Sequence, residues 1–368
     1  MKYYIIAGEA SGDLHGSNLI KELKKLDRNA SFRCWGGDLM NKETNNLVRH
    51  HKDYAFMGFL EVFLNLYSVI KNISFCKSDI LNYNPDIIIY IDFPGFNLRI
   101  AKWAKNFSFN NHYYISPQVW AWKESRVKIL KECLNNLYVI LPFEKKYFNE
   151  KHSLNVEYVG HPLVEHLLKI KKDTHFIEKY NLDGKKEIIT LMPGSRKQEI
   201  KKILPIFINV VNKFKSYQFV IAAAPSIESE FYLSIVKNNS IKIIHNNAYN
   251  LLIHSKAALV TSGTATLETA LLKIPQLVCY KTSFVSFFIA KRLVKLNYIS
   301  LVNLILNKEV VKELIQKNCN AKKITEELKE LLMRKNKSIL KEYELLFKKI
   351  GNKKASKITS KLIINSIK

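Results

Sequence analysis

The stretch Thr261-Ser262-Gly263-Thr264-Ala265-Thr266-Leu267-Glu268 carries the densest set of groups suited to holding an anion. It follows the apolar run Ala257–Val260 and leads into a predicted helix, so its small residues present unpaired backbone N–H groups where the helix dipole is positive. A diphosphate fits Ser262, Gly263, Thr264, Ala265 and Thr266, and Glu268 is placed to accept hydrogen bonds from ribose hydroxyls. The competing reading is an ordinary Ser/Thr-capped turn that binds nothing. Pro193-Gly194-Ser195-Arg196-Lys197 repeats the device after Ile188–Met192. There Arg196 and Lys197 oppose the dipole, which makes an anion the natural compensation, a solvated arginine being the alternative.

Asp92 closes the run Ile87-Ile88-Ile89-Tyr90-Ile91 and precedes Phe93-Pro94-Gly95-Phe96-Asn97. A carboxylate at the carboxyl end of a buried strand gains proton affinity from partial burial and suits general-base work. The alternative is a carboxylate that only orders its own loop. Asp86 precedes the strand and lies at its other end. Gly8-Glu9-Ala10-Ser11-Gly12-Asp13-Leu14-His15-Gly16 follows the first strand, with Glu9, Ser11 and Gly12 as candidate ligand contacts. Its spacing is not G-x-G-x-x-G, and a tight turn capped by Ser11 or Asp13 competes with the ligand reading. Ser116-Pro117-Gln118-Val119-Trp120-Ala121-Trp122 offers hydroxyl, amide and indole groups of the kind that recognise sugars, against the plainer reading of tryptophan as core.

Absent motifs narrow the chemistry. There is no G-x-x-x-x-G-K-[ST], no D-x-D, no G-x-S-x-G and no H-E-x-x-H. No metal or cofactor is therefore expected, and leaving-group charge falls to Arg196, backbone N–H groups and helix dipoles. No aspartate follows Asp183, so carboxylate chemistry in the second half belongs to glutamate.

The elements that must position these groups alternate. Tyr3–Ala7, Ile87–Ile91, Asn111–Ile115 and Asn136–Leu141 read as strands, with helices over Leu19–Leu26 and Arg99–Lys105. The series restarts with Ile188–Met192, Phe219–Ala223, Ile241–Ile244 and Ala257–Val260, and the lysine-rich stretch Lys169 to Lys186 reads as a linker. This pattern predicts an α/β protein of two doubly wound domains with a ligand cleft between their sheet carboxyl ends. The expected boundaries are residues 1–170, 171–340 and a helical segment 341–368.

The 368 residues carry a net charge of +26, which favours anionic partners, although a lysine-rich composition accounts for much of it. Five cysteines without a C-x-x-C pair suit a reducing cytoplasm, and the chain opens directly on a strand pattern with no signal peptide. No window has the uncharged length to span a bilayer. Residues 54–70 form an apolar helix pattern with a stripe of Glu61, Asn65 and Ser68, fit either for core burial or for shallow insertion at a lipid interface. Residues 284–295 mix aromatics with Lys and Arg, as anionic headgroups favour.

The loops described above, together with Gly36-Gly37, Leu141-Pro142-Phe143-Glu144, Gly160-His161-Pro162, Ala290–Lys295 and Ser300-Leu301-Val302-Asn303-Leu304, resemble those of lipid-A-disaccharide synthase, a glycosyltransferase family of Gram-negative lipopolysaccharide assembly. The resemblance runs in order to about Leu314. It implies a GT-B architecture, two Rossmann-like domains facing a central cleft, with the helical segment 341–368 crossing back to the first domain. It also implies an inverting, metal-independent transfer from UDP-2,3-diacylglucosamine to 2,3-diacylglucosamine 1-phosphate, giving a β-1,6 disaccharide and UDP. In that scheme Asp92 is the base. Gly194, Arg196, Ser262 to Thr266, Glu268 and Asn303 contact the donor, and Glu9, Ser11, Gly12, Ser116 and Gln118 the acceptor. Peripheral attachment to the cytoplasmic face of the inner membrane through Phe56, Phe59, Leu60 and Phe63 is implied, with a homodimer and no nucleic acid. The rival readings are a GT-B UDP-sugar 2-epimerase, a transferase with a soluble acceptor and, outside enzymes, a basic nucleic-acid-binding protein.

Overall fold

The computed structural model describes residues 1–54, 66–237, 241–283, 287, 288, 292 and 296–367. Phe56, Phe59, Leu60, Phe63 and most of the basic aromatic stretch 284–295 lie outside the described residues. The chain forms two compact units, Met1–Glu165 with Asn352–Lys368, and His166–Gly351.

The first unit holds strands β1 (Lys2–Ala7), β2 (Ser31–Gly36), β3 (Leu47–His50), β4 (Ile87–Ile91), β5 (Asn110–Tyr114), β6 (Asn136–Val139) and β7 (Glu157–Tyr158). All pair in parallel, in the order β3-β2-β1-β4-β5-β6-β7. β4 is apolar throughout because helices cover both faces of a parallel sheet, and all five of its side chains are buried. One face packs Tyr4, Trp35, Tyr90 and Tyr113; the other packs Tyr3, Ile5, Ile89 and Ile91. Ile363, from the helix Ala355–Asn365, completes the second cluster, and that helix lies against the helix Ala10–Leu26.

The second unit repeats the winding with β8 (Glu187–Met192), β9 (Tyr217–Ala222), β10 (Lys242–Ile244), β11 (Ser255–Thr261), β12 (Gln276–Tyr280) and β13 (Lys312–Ile315). These are again all parallel, in the order β10-β9-β8-β11-β12-β13. In each sheet the order reverses once, between β1 and β4 and between β8 and β11. Loops leaving the carboxyl ends of such a strand pair diverge and open a crevice for ligand.

Two expectations about the chain path change. Lys169 to Lys186 is not a linker: Phe176, in the short helix Phe176–Lys179, is fully buried with Leu182, Ile188 and Val220, and the Asp173 amide donates to Asn250 Oδ1 at 2.9 Å. The helical end is broken at Gly351, whose φ of 74° ends the helix Asn336–Ile350 inside the second unit before the chain rejoins the first.

Candidate functional site

Asp92 leaves β4 in the left-handed region (φ 45°) and Phe93 follows it there (φ 50°). Two such residues in succession cost on the order of 1–3 kcal/mol each, so the surroundings must hold them. The Asp92 carbonyl accepts from Asn97 Nδ2 at 2.7 Å and from the Tyr113 hydroxyl, while the Asp92 amide donates to the Tyr114 carbonyl at 3.3 Å. Asn97 is fully buried and also reaches the Ile6 and Ile91 carbonyls. Across the strand reversal, a Cβ at Gly8 would lie 2.2 Å from the Phe93 ring, so only glycine lets the two loops approach this closely. The Asp92 carboxyl is pushed up from 3.8 to about 6, chiefly by burial and then by the charge of Glu9, with the Phe93 amide opposing.

Around it, Ser11 and Gln118 are exposed and Gly12 is buried. Asp13 caps a different helix from the one expected: its carboxylate accepts the Gly37, Leu39 and Met40 amides at 2.8–3.0 Å, at the start of Asp38–Thr44. Ser116 is buried and its hydroxyl donates to the Pro117 carbonyl at 3.1 Å, which shapes the turn. Trp120 is likewise committed, its indole N–H donating to Glu144 Oε1 at 2.9 Å and its ring meeting Phe143 edge-on. Glu144 is a group that reasoning from single residues missed. Fully buried, it accepts the Ile140 and Leu141 amides at 3.1 and 2.9 Å, and burial pushes its carboxyl to about 7. The available signal was a glutamate at the third position of a helix opened by proline.

In the second unit, Gly194 (φ 121°) and Gly263 (φ 145°) turn the chain out of β8 and β11, the two strands at the reversal. Gly263 and Thr264 are exposed and Ala265 is half-buried at the opening of the helix Thr264–Leu271. Ser262 Oγ donates to the Ile299 carbonyl at 3.1 Å. Thr266 is fully buried and its hydroxyl donates back to the Gly263 carbonyl at 2.9 Å. Glu268 is half-buried, and burial raises its carboxyl to about 7 against the opposing hydrogen bond from Tyr249.

The helix Lys197–Val211 carries a carboxylate of its own in its first turn. Glu199 in its first turn accepts the Ser195 amide at 3.1 Å and Arg196 Nη1 at 3.3 Å, although the Arg196 side chain stays 61% exposed. Asn303 is held within the chain in this structure. It is fully buried, its Oδ1 accepting the Val310 and Val311 amides and its Nδ2 donating to the Val311 carbonyl and Glu313, all within 3.0 Å. A cavity of about 410 Å³, lined by Lys172, Lys185, Lys186 and Lys256 among others, lies at the amino ends of β8 and β11, away from these loops. Among the described residues no three His, Cys, Asp or Glu side chains gather to hold a metal ion, and no helix is long and apolar enough to cross a membrane.

Residues 3–365 match the family model for lipid-A-disaccharide synthetase. The chain belongs to that family. The lipid-A-disaccharide synthase of Coxiella burnetii (strain CbuG_Q212) is 32% identical over 369 residues, covering 99% of this chain and 98% of its own. Among solved structures, a UDP-GlcNAc 2-epimerase from Neisseria meningitidis bound to UDP-GlcNAc superposes with a TM-score of 0.69 at 14% identity, over 99% of this chain and all of that one. The glycotransferase of kitacinnamycin gives 0.66 at 10% identity, over 100% of this chain and 99% of that one. Both structures are alike in fold alone. A lipid-A-disaccharide synthetase with this fold is a GT-B glycosyltransferase of lipid A biosynthesis, and the epimerase reading is not favoured.

Proposed function

We propose that the chain transfers 2,3-diacylglucosamine from its UDP ester to the 6-hydroxyl of 2,3-diacylglucosamine 1-phosphate, with inversion at the sugar C1. The hydroxyl proton passes to the Asp92 carboxylate as the O6–C1 bond forms. The bond from C1 to the diphosphate oxygen breaks, and UDP departs with the electron pair. The observation that carries this reading is Asp92 itself: it sits at the sheet's reversal, is fixed by Asn97 and Tyr113, and has a proton affinity near that of a neutral-pH base. Glu9, Ser11, Gly12 and Gln118 lie on the loops beside it and contact the acceptor. On the donor side, Gly194, Arg196, Ser262, Gly263, Thr264 and Ala265 meet the diphosphate, and Glu268 the ribose.

We place the activity at the cytoplasmic face of the inner membrane, with Phe56, Phe59, Leu60 and Phe63 as the lipid contacts and a homodimer as the assembly. The acyl chains of both substrates favour such a site, as does the charge of +26. The test is UDP release by the purified protein from UDP-diacylglucosamine and the 1-phosphate acceptor without added metal, compared with Asp92→Asn. Near-normal turnover by that variant refutes the base assignment. Binding to phospholipid vesicles and light scattering test the membrane and dimer readings separately.

A further inference from the structure

We propose that Glu144 is a positioning residue for the acceptor: through the Trp120 indole it fixes the turn that presents Gln118. This rests on the transferase reading above. Leu141-Pro142-Phe143-Glu144 places a proline and then a glutamate in the first turn of the helix Pro142–Lys146. A glutamate there commonly turns back onto the amides that open its own helix, and Glu144 Oε2 accepts those of Ile140 and Leu141. That service occupies one oxygen. The other, Oε1, accepts the indole N–H of Trp120 at 2.9 Å, from a residue 24 positions earlier in the chain. A buried carboxylate is costly unless donors meet its oxygens, so this bond both satisfies Glu144 and holds Trp120 to the turn after β6.

Three strand ends stand side by side here. The Asp92 amide donates to the Tyr114 carbonyl at 3.3 Å and the Ile115 amide to the Tyr138 carbonyl at 3.2 Å, so the loops after β4, β5 and β6 leave from neighbouring strands. The middle loop is folded on itself. The Val119 amide donates to the Pro117 carbonyl at 2.7 Å, and the Gln118 carbonyl accepts the Ala121 and Trp122 amides at 3.0 and 3.4 Å. Gln118 thus heads a turn that contains Trp120, and it is exposed between the buried Pro117 and Val119. The bonds inside the turn set its shape. The bond to Glu144, with the edge-on contact of the Trp120 ring and Phe143 at 4.9 Å, sets where that shape stands on the sheet. Displacing Trp120 therefore displaces Gln118, and with it the surface offered to the acceptor sugar beside the strand that ends at Asp92.

The bond can be cut from either side. In Glu144→Gln the amide oxygen can still serve Ile140 and Leu141, but the NH2 then faces the indole N–H, donor against donor. Trp120→Phe removes the N–H and keeps a ring against Phe143. Each variant, and the two together, is assayed for UDP release across acceptor and donor concentrations, with urea unfolding and UDP calorimetry alongside. Each single variant should raise the acceptor KM about 10-fold, as for loss of one charged hydrogen bond, while kcat, donor KM and UDP affinity stay near wild type. Because both cut one bond, the double variant should be no worse than the more affected single variant. The indole N–H resonance of Trp120, identified by its loss in Trp120→Phe, should move in Glu144→Gln. Should Glu144→Gln fail to fold, Trp120→Phe decides on its acceptor KM alone. Losses shared equally among kcat and both KM values, or a double variant whose KM is the product of the single effects, overturn the inference. A wild type that turns over while the variants keep its acceptor KM refutes this inference alone, whereas a wild type that releases no UDP refutes the transferase reading and this inference with it.

Discussion

Acidification tests whether Asp92 is the base. Burial and the neighbouring Glu9 raise its carboxyl from 3.8 to about 6, and the carboxylate, not the acid, accepts the hydroxyl proton. With a midpoint near 6 the group is about 91% ionised at pH 7 and about 9% at pH 5, so turnover falls roughly tenfold over that interval. A carboxyl left at 3.8 would be more than about 90% ionised at both values and would leave the rate flat. The assay is kcat at saturating donor and acceptor between pH 4.5 and pH 8, which separates the base from ionisations that affect binding. Replacing Glu9 by glutamine removes the like charge while burial remains, so the acid limb must move to lower pH and stay above that of an exposed aspartate. Asp92→Asn should lower kcat by about 10²–10⁴ at every pH while UDP affinity is retained. A limb near pH 4 in wild type, or a limb that Glu9→Gln leaves in place, refutes the electrostatic argument.

Gly8→Ala puts a methyl 2.2 Å from the Phe93 ring and must displace the turn bearing Asp92; kcat should fall about 10- to 100-fold with donor KM unchanged, measured by steady-state kinetics. Asn303→Ala strips the Val310 and Val311 amides of their acceptor, so urea unfolding should show a loss of about 2–4 kcal/mol, with UDP affinity per folded molecule intact. Because burial raises the Glu268 carboxyl to about 7 and ribose hydroxyls need the ionised form as acceptor, uridine affinity measured by calorimetry should weaken as pH falls through 7. That dependence should vanish in Glu268→Gln. Arg196→Ala should weaken UDP binding about tenfold with little change in unfolding, since this arginine is exposed and its partner Glu199 keeps the Ser195 amide.

The central strands were readable because burial on both faces demands unbroken apolar runs, as in Ile87–Ile91 and Ala257–Val260. β2 was not, because Arg33 interrupts its pattern. Its guanidinium is acceptable there only because Asp79, 46 residues away, receives it through two hydrogen bonds of 2.9 and 2.6 Å. The same limit governs the site. Loops at strand ends announced themselves by glycine and small residues, and the two strand reversals place four of them, after β1, β4, β8 and β11. Which polar side chains remain available for ligand depends on partners set by tertiary structure. Ser116, Trp120, Thr266 and Asn303 have ligand-binding chemistry and are nevertheless committed to the chain's own carbonyls, amides and carboxylates.

Each sheet reversal carries one carboxylate whose proton affinity burial lifts toward neutrality, Asp92 in the first unit and Glu268 in the second. Their second neighbours divide their roles. Asp92 faces a like charge, Glu9, which adds to the effect of burial and favours taking up a proton. Glu268 faces a hydroxyl donor, Tyr249, which opposes burial and favours the ionised, hydrogen-bond-accepting form. A carboxylate pressed by another acid is suited to receive the proton of an attacking alcohol. One already served by a phenol is suited to keep its charge and accept hydrogen bonds from a diol. What each carboxylate faces, with burial common to both, supports the proposed assignment of base to Asp92 and of ribose acceptor to Glu268.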